Sequence, residues 1–305
     1  MKLAPIIIFS YNRPKHLKRT LKFLKKNTLS KKSEIFFFTD GPENNDKKNL
    51  KKIDTVKKII KNFKGFKKKN LIFHKKNVGL KKNILGGVSQ VLKKYPSAII
   101  LEDDIIVSKY FLHYMNQSLN FYKNIKKIWH VSGWNYNFKI DESDLQGQNT
   151  YFTRNMNCWG WATWSDRWKK IKTNPDFFLK KMNNKTIYEF NFSNTLNNWS
   201  QLLRNKKKIL NTWAIFWNAT IFYNNGLCLN PVKSLVKNIG FDGSGVNSLN
   251  QPDDKIKISN IKEFFFPKEL IENSILRNEI IFYMKQKNKK EKRNYLKKKM
   301  LSFFN

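Results

Sequence analysis

The sequence predicts an α/β protein built on a mostly parallel, doubly wound sheet with helices on its faces. Three observations point there. Short apolar runs of strand length recur through the first half of the 305 residues, the stretches between them carry apolar residues at helical spacing, and each run stops at a polar turn. Strands that alternate with helices in this way run parallel, because each crossover helix returns the chain to the same edge of the sheet.

The first run, residues 4–10 (APIIIFS), is unbroken, the pattern of a strand buried on both faces. A helix follows, with Asn12 as the expected cap, Pro14 in its first turn and Leu17, Leu21 and Leu24 along one stripe. The second run, 34–41, leads into a basic helix carrying Leu50, Ile53, Val56, Ile60 and Phe63. The third, 70–75, leads into one carrying Leu80, Ile84, Val88 and Val91. A fourth, SAIILEDD, spans Ser97 to Asp104, and a fifth, KIWHVSG, spans Lys127 to Gly133. From Tyr151 to about residue 247 the chain is dense in Trp and Asn and carries NIGFDGSG at 238–245; it reads as loops and mixed elements closing over the sheet's ligand edge. Beyond Pro267 two Lys-rich helical segments are expected, one from Lys268 to about Lys287 and one from about Glu291 to Phe304.

Lys plus Arg number 60 against 22 Asp plus Glu, a net charge of +38. At face value that points to nucleic acid or an anionic membrane surface. Only seven of the 60 are Arg, however, and specific phosphate or base readout favours the planar Arg fork. The Lys excess therefore reads as a solvated surface. Aromatics make up 15% of the chain, which excludes a disordered polyelectrolyte. Cys158 and Cys228 lack CxxC spacing, so they imply two buried thiols in a reducing compartment and neither a disulfide framework nor a zinc site. Pro5 interrupts the N-terminal apolar run and no small-residue cleavage site follows, so this segment reads as a strand and not a signal peptide. The best candidate for a membrane span, Thr212 to Tyr223, contains Asn218 and is too short.

Ligands of open parallel sheets bind beyond the carboxyl ends of the strands. Those ends deliver Ser10 to Arg13, Thr39 to Gly41, His74 to Asn77, and Glu102-Asp103-Asp104. Three consecutive carboxylates repel one another and call for a cation, and oxygen-only ligands suit Mg²⁺ or Mn²⁺. Strand alternation sets Glu102 and Asp104 on one side and Asp103 on the other. The competing reading is that the acidic residues merely favour the start of a helix near Ser108. There is no GxxxxGK[ST], GxSxG, HExxH or early GxGxxG. The four His are dispersed, and His130, in mid-strand, reads as core.

These residues carry a resemblance. PIIIFSYNRPKHLKRTL, the TDG after the second run, NVGLKKNILGGV and ILEDDIIVSKYFLHYM together resemble the GT-A glycosyltransferases, most closely bacterial relatives of the N-acetylglucosaminyltransferase I type, whose EDD is a variant of the DxD metal motif. CWGWATWSDRW, NTWAIFW and SLVKNIGFDGSG are similar to later segments of the same group. The resemblance covers residues 4–247. It implies a glycosyltransferase domain over 1–250, with a nucleotide-sugar half (1–108) and a Trp-rich acceptor half (109–250), followed by a helical Lys-rich extension (251–305).

Carried onto this sequence, the resemblance implies that Arg13 lies near the nucleotide, Asp40 reads the uracil and Asp104 binds the metal, Mn²⁺ or Mg²⁺. It implies that Glu102 and Asp103 position the ribose and the sugar, and that Lys81 or Lys82 approaches the diphosphate. Two departures stand out: Asn247 occupies the place of a His found in many relatives, and Ala214 the place of an Asp found in some. The catalytic base is left to Asp242 or Asp166, with Asp242 preferred for its place in the glycine-rich segment. Flat faces for sugar rings are expected from Trp159, Trp161 and Trp164.

The function expected is metal-dependent, inverting transfer from a nucleotide-sugar, a UDP-sugar, to a glycan or lipid-linked acceptor in surface polysaccharide or lipopolysaccharide synthesis. The rival is a basic nucleic-acid-binding protein with a structural EDD. Between Lys285 and Lys299 eight Lys and one Arg face one Glu, followed by Met300, Leu301, Phe303 and Phe304. That tail suggests a cytoplasmic enzyme held peripherally on the anionic cytoplasmic face of an inner membrane.

Overall fold

The computed structural model describes residues 3–43, 46–137, 140, 145, 147–244 and 256–301, with side chains up to residue 294. The chain opens with β1 (Ile6–Ser10), α1 (Pro14–Lys25), β2 (Glu34–Thr39), α2 (Lys47–Asn62), β3 (Lys68–Phe73), α3 (Leu80–Leu92) and β4 (Ser97–Glu102). These are the strands and helices that the apolar runs predict, with ends moved by two residues or fewer. The expected cap of α1 differs: Arg13 is the N-cap residue, Pro14 fills the first position, and the Asn12 amide donates instead to Asn49 Oδ1 at 2.8 Å.

β1 is buried along its whole length, and its alternation divides the core. Ile6 and Ile8 join Leu17, Leu21 and Leu24 of α1 and Val56 and Ile60 of α2 on one face; Ile7 and Phe9 join Ile84 and Val88 of α3 on the other. Each such side chain removed from water contributes about 1.5–3 kcal/mol. α3 approaches the sheet closely at Gly87, where a Cβ would stand 2.7 Å from the Phe9 ring.

The fourth strand stops at Glu102. Asp103 and Asp104 form the turn into β5 (Ile105–Val107), so strict strand alternation does not govern the three carboxylates. The competing reading of the acidic run as favouring a helix start fails, since the N-cap residue of α4 (Phe111–Phe121) is Tyr110, with no side-chain cap and no acidic residue in the first turn. Then come β6 (Ile128–Ser132), β7 (Thr150–Thr153), β8 (Trp161–Trp164), the helices α5 (Ser165–Trp168), α6 (Pro175–Lys181), α7 (Asn184–Phe190), α8 (Asn198–Lys206) and α9 (Ala214–Tyr223), and finally β9 (Leu227–Pro231), β10 (Val236–Asn238) and α10 (Ser274–Leu301).

The main sheet has eight strands in the order β3-β2-β1-β4-β8-β6-β9-β7. Six run in one direction, while β8 runs antiparallel between β4 and β6 and β7 antiparallel on β9. The fifth apolar run is therefore a parallel strand, as expected, but β8 separates it from β4. β5 pairs with β10 as a small antiparallel ribbon beyond the end of β4. The edge strand β3 is half-exposed and opens with Lys68 and Lys69, charges that discourage edge-to-edge pairing.

The C-terminal region forms one continuous helix, α10, where two were expected. Leu276, Ile280 and Ile281 bury its first part against Tyr151, Phe192 and Val232. Asn273 N–H donates to Phe152 O, and the Asn288 amide to Thr195 O, each at 3.0 Å. From Lys289 to Asn294 the helix is exposed. No helix among the described residues is long and apolar enough to cross a membrane.

Candidate active site

The carboxyl ends of β1, β2, β3 and β4 lie side by side, and β4 delivers the acidic cluster. The Arg13 guanidinium spans two of its members: Nη2 donates to Asp103 Oδ1 and lies 2.9 Å from Asp104 Oδ2. Asp103 is buried and further held by Tyr11 N–H at 3.3 Å, while its backbone carbonyl accepts from the Thr20 hydroxyl at 2.8 Å. Asp104 is fixed through its backbone, whose carbonyl accepts from Ile239 N–H at 2.9 Å. Gly240 then crosses directly over the cluster. A Cβ there would run into the Asp104 carboxylate and crowd Arg13 Nη1 at 3.0 Å, so any side chain at this position would have to displace the Asp104 carboxylate.

Burial pushes the Glu102 carboxyl well above the usual carboxylate range, and the charges of Asp104 and Asp103 add to it. Burial also raises Asp103, against the pull of Arg13. For Arg13, burial opposes the charged form but the two aspartates outweigh it and raise the pKa. Three carboxylates thus face one guanidinium, an excess of negative charge that a divalent cation would offset. The all-oxygen donor set suits Mn²⁺ or Mg²⁺. Among the described residues no group of three or more His, Cys, Asp or Glu could hold a metal ion by itself. A cation here would take one or two carboxylates and complete its shell from phosphate and water, the usual habit of Mg²⁺.

Asp40, at the end of β2, is buried and fully engaged by backbone: Oδ1 accepts from Gly41 and Val78 N–H at 2.8 and 2.9 Å, and Oδ2 from Gly79 N–H at 3.0 Å. It thereby clamps the loop that starts α3. The two candidate lysines diverge. Lys81 folds over the Phe216 ring, 4.1 Å from its centroid, where burial lowers its pKa, whereas Lys82 is exposed. Arg13 is the cation that reaches the carboxylates.

The two candidate bases lie in different places. Asp242 sits in the turn after β10, two residues beyond Gly240, and its Oδ2 is 3.1 Å from His16 Nε2. Its side chain is 51% exposed, and hydrogen bonds from Ser244 lower its pKa. Asp166 belongs to α5, at the opposite, amino end of β4. Trp164 pairs with Ser97 at the start of β4 and Ser165 N–H donates to Pro96 O, so about 16 Å of strand separates Asp166 from the acidic cluster. There it is paired with Lys126 and with Arg167, which is buried and also donates to the carbonyls of Tyr122, Lys123 and Ile125. The structure pairs Asp166 with these cations and does not bring it to the acidic cluster. Asn247 and Gly245 lie outside the described residues.

Of the three expected sugar-stacking tryptophans, Trp161 and Trp164 are buried in the core. Trp161 stacks with His130 and Trp213, and Trp164 Nε1–H donates to Leu119 O. Trp159 alone borders open space. It lines a cleft of about 310 Å³ together with Trp134, Asn157, Cys158, Ala214 and Tyr283, and meets Phe241 edge-on at 5.4 Å. Burial, with the charges of Glu102 and Asp104, pushes the Cys158 thiol up to about 12, which removes thiolate chemistry and places this wall beside the acidic cluster.

Residues 1–179, from β1 to α6, match the model of the GNT-I family. The chain belongs to the GNT-I family. The matched region holds the strands β1 to β8 together with Arg13, Asp40 and the strand-end carboxylates. No curated protein matches this GNT-I family member in sequence. Among solved structures it is similar to S. aureus TarS 1-349, with 11% identity over 77% of this chain and 60% of that one and a TM-score of 0.43. It is also similar to the mannosyltransferase PcManGT from Pyrobaculum calidifontis in complex with GDP-Man and Mn²⁺, with 9% identity over 72% and 69% and a TM-score of 0.40. The galactosyltransferase LgtC in complex with donor and acceptor sugar analogs matches at 9% identity over 71% and 70%, with a TM-score of 0.37. The chain spans less than two thirds of the TarS fragment.

Sequence reasoning missed His16, Gly240, Trp134, Tyr136 and Tyr283. Gly240 was signalled by the glycine-rich stretch and His16 by its place in the first turn of α1, just past the first strand-end loop, but Gly240 meets Asp104 from more than a hundred residues away and His16 meets Asp242 from more than two hundred. Trp134 and Tyr136 directly follow β6, so the strand-end rule that found EDD could have found them.

Proposed function

We propose that this GNT-I family member transfers a sugar from a UDP-sugar to a hydroxyl of a glycan or lipid-linked acceptor, with inversion and with a divalent metal, in surface polysaccharide or lipopolysaccharide synthesis. The observation that carries the reading is the Arg13–Asp103–Asp104 cluster with Glu102 at the end of β4, under Gly240. Asp104 would hold Mn²⁺ or Mg²⁺, which when bound neutralises the charge that develops on a leaving diphosphate. The chain's own residues supply the rest. Arg13 orients Asp103 and Asp104, Glu102 and Asp103 line the approach of ribose and sugar, and Asp40 holds the loop facing the base. Lys81 and Lys82, in the first turn of α3, are the remaining cations for a diphosphate. Asp242 is the carboxylate placed to take the acceptor's proton.

A donor screen tests this: the protein with Mn²⁺ should release UDP from one UDP-sugar and its melting temperature should rise with UDP through mass action. Asp104→Asn should abolish both effects with the fold intact. Near-normal turnover in that variant would remove the metal assignment, and a steep, salt-dependent response to oligonucleotides in place of UDP would favour the nucleic-acid reading.

A further inference from the structure

Between α7 and α8 three consecutive residues, Phe192, Ser193 and Asn194, have φ values of 53°, 56° and 59°. None of them is glycine. Asn tolerates the left-handed region, but a Phe or Ser there crowds its own Cβ against the following carbonyl, so the turn persists only where its surroundings hold it. α10 supplies the hold. Arg277 Nη2–H donates to Ser193 Oγ at 3.1 Å, and the same guanidinium lies over the Phe192 ring, 5.0 Å from its centroid. Just past the turn, the Asn288 amide donates to Thr195 O at 3.0 Å. The turn leads directly into one wall of the cleft, formed by Leu196, Asn197, Asn198 and Gln201, and Tyr283, Met284 and Lys287 of α10 line the same cleft.

At its start the hold is electrostatic. Glu272, just ahead of α10, accepts from Arg154 N–H at 2.8 Å and lies 3.3 Å from Arg277 Nε, while Arg154 Nη1 lies 3.3 Å from Glu189 of α7. These four charged side chains border a second cavity, of about 250 Å³. Long, partly exposed ion pairs around a space contribute little stability and weaken with salt, so they open more readily than the apolar seat of Leu276 and Ile280. We propose that α10 is a conformational strap: Arg277 and Asn288 hold the left-handed turn, and release of their contacts lets the turn relax and frees the wall formed by residues 196–201. Turn and strap both lie beyond the 1–179 region that matches the family, so the device belongs to the remainder of this chain. It holds whichever donor the site takes.

The test is hydrogen–deuterium exchange of the full chain, read peptide by peptide. Arg277→Met keeps the side-chain stem and removes both the bond to Ser193 and the pair with Glu272. Exchange over residues 191–201 should rise about 10-fold or more, with the peptides of β1 and β4 unchanged. Adding Ser193→Gly and Asn194→Gly to that variant should bring the exchange back to within about 3-fold of the parent chain, because glycine occupies the left-handed region freely and the drive to relax is gone. Unchanged exchange over 191–201 in Arg277→Met would overturn the strap. So would an even rise across the whole chain, which is plain loss of stability, or no recovery with the two glycines. Should Arg277→Met fail to fold, Asn288→Ala, a change at an exposed position, takes its place and is read by the same outcomes.

Discussion

His16 Nε2 lies 3.1 Å from Asp242 Oδ2, and this contact ties the first turn of α1 to the turn that follows Gly240. Asp242→Asn should keep UDP affinity and lower transfer by about 100-fold or more, because an amide cannot accept a proton. Asp166→Asn should leave transfer unchanged, its loss being confined to a modest surface ion pair of about 0.2–1 kcal/mol. Transfer that survives in the first variant and vanishes in the second would reverse the two roles.

Asp40 has a structural duty that its expected role in reading uracil does not include. Three backbone N–H groups converge on its carboxylate. Asp40→Ala would leave all three without their acceptor in a buried place, at a cost of about 3 kcal/mol in unfolding free energy. Urea unfolding measures it. A loss below about 0.5 kcal/mol would show that the loop finds other partners.

His130 sets a term in the acid stability of the core. Its Nε2–H donates to Asn157 O at 3.0 Å, its Nδ1 accepts from Trp217 Nε1–H at 3.3 Å, and burial lowers its pKa from 6.5 to about 3. The unfolded chain takes up a proton near pH 6.5 that the folded one refuses. Stability from this group is therefore complete above pH 6.5 and is lost as pH falls toward 3, with a slope of up to about 1.4 kcal/mol per pH unit. His130→Gln should flatten the fall in urea midpoint between pH 7 and pH 5. Parallel profiles for the two proteins would refute the assignment.

The exposed end of α10 bears on membrane attachment. Lys285, Lys289 and Lys292 share one face at helical spacing, and each cation near an anionic surface contributes about 1 kcal/mol. The full chain should sediment with vesicles containing anionic lipid, and a chain ending at Asn288, which keeps the packed part of α10, should not. Equal sedimentation of the two would place the contact elsewhere. Met300 and Leu301 have undescribed side chains and Phe303 and Phe304 lie outside the described residues.

The parallel half of the sheet was legible because unbroken apolar runs such as IIIFS and AIILE bury both faces and leave no other reading. The acidic cluster was legible for the same reason, as an abrupt change of chemistry at a strand end. β8 was not. Its four residues, WATW, are too short to show a period, and it is inserted between β4 and β6, two strands that precede it in the chain. The position of Asp166 followed from that strand and was lost with it. The pairing of Arg13 with both aspartates depends on β1 and β4 lying side by side, and that of His16 with Asp242 on the turn after β10 folding back over β4, long-range contacts that no local pattern encodes.

α10 also sets the order in which the protein can become competent during synthesis. The strands and loops that carry Arg13, Asp40 and Asp104 are made within the first third of the chain, whereas Tyr283 and Met284 emerge near its end. At about 5–20 residues per second, seconds pass between the two. The acidic cluster receives Gly240 late, and the cleft receives its last wall later still. A chain that lacks α10 therefore leaves the cleft unfinished and the apolar seat of Leu276 and Ile280 uncovered.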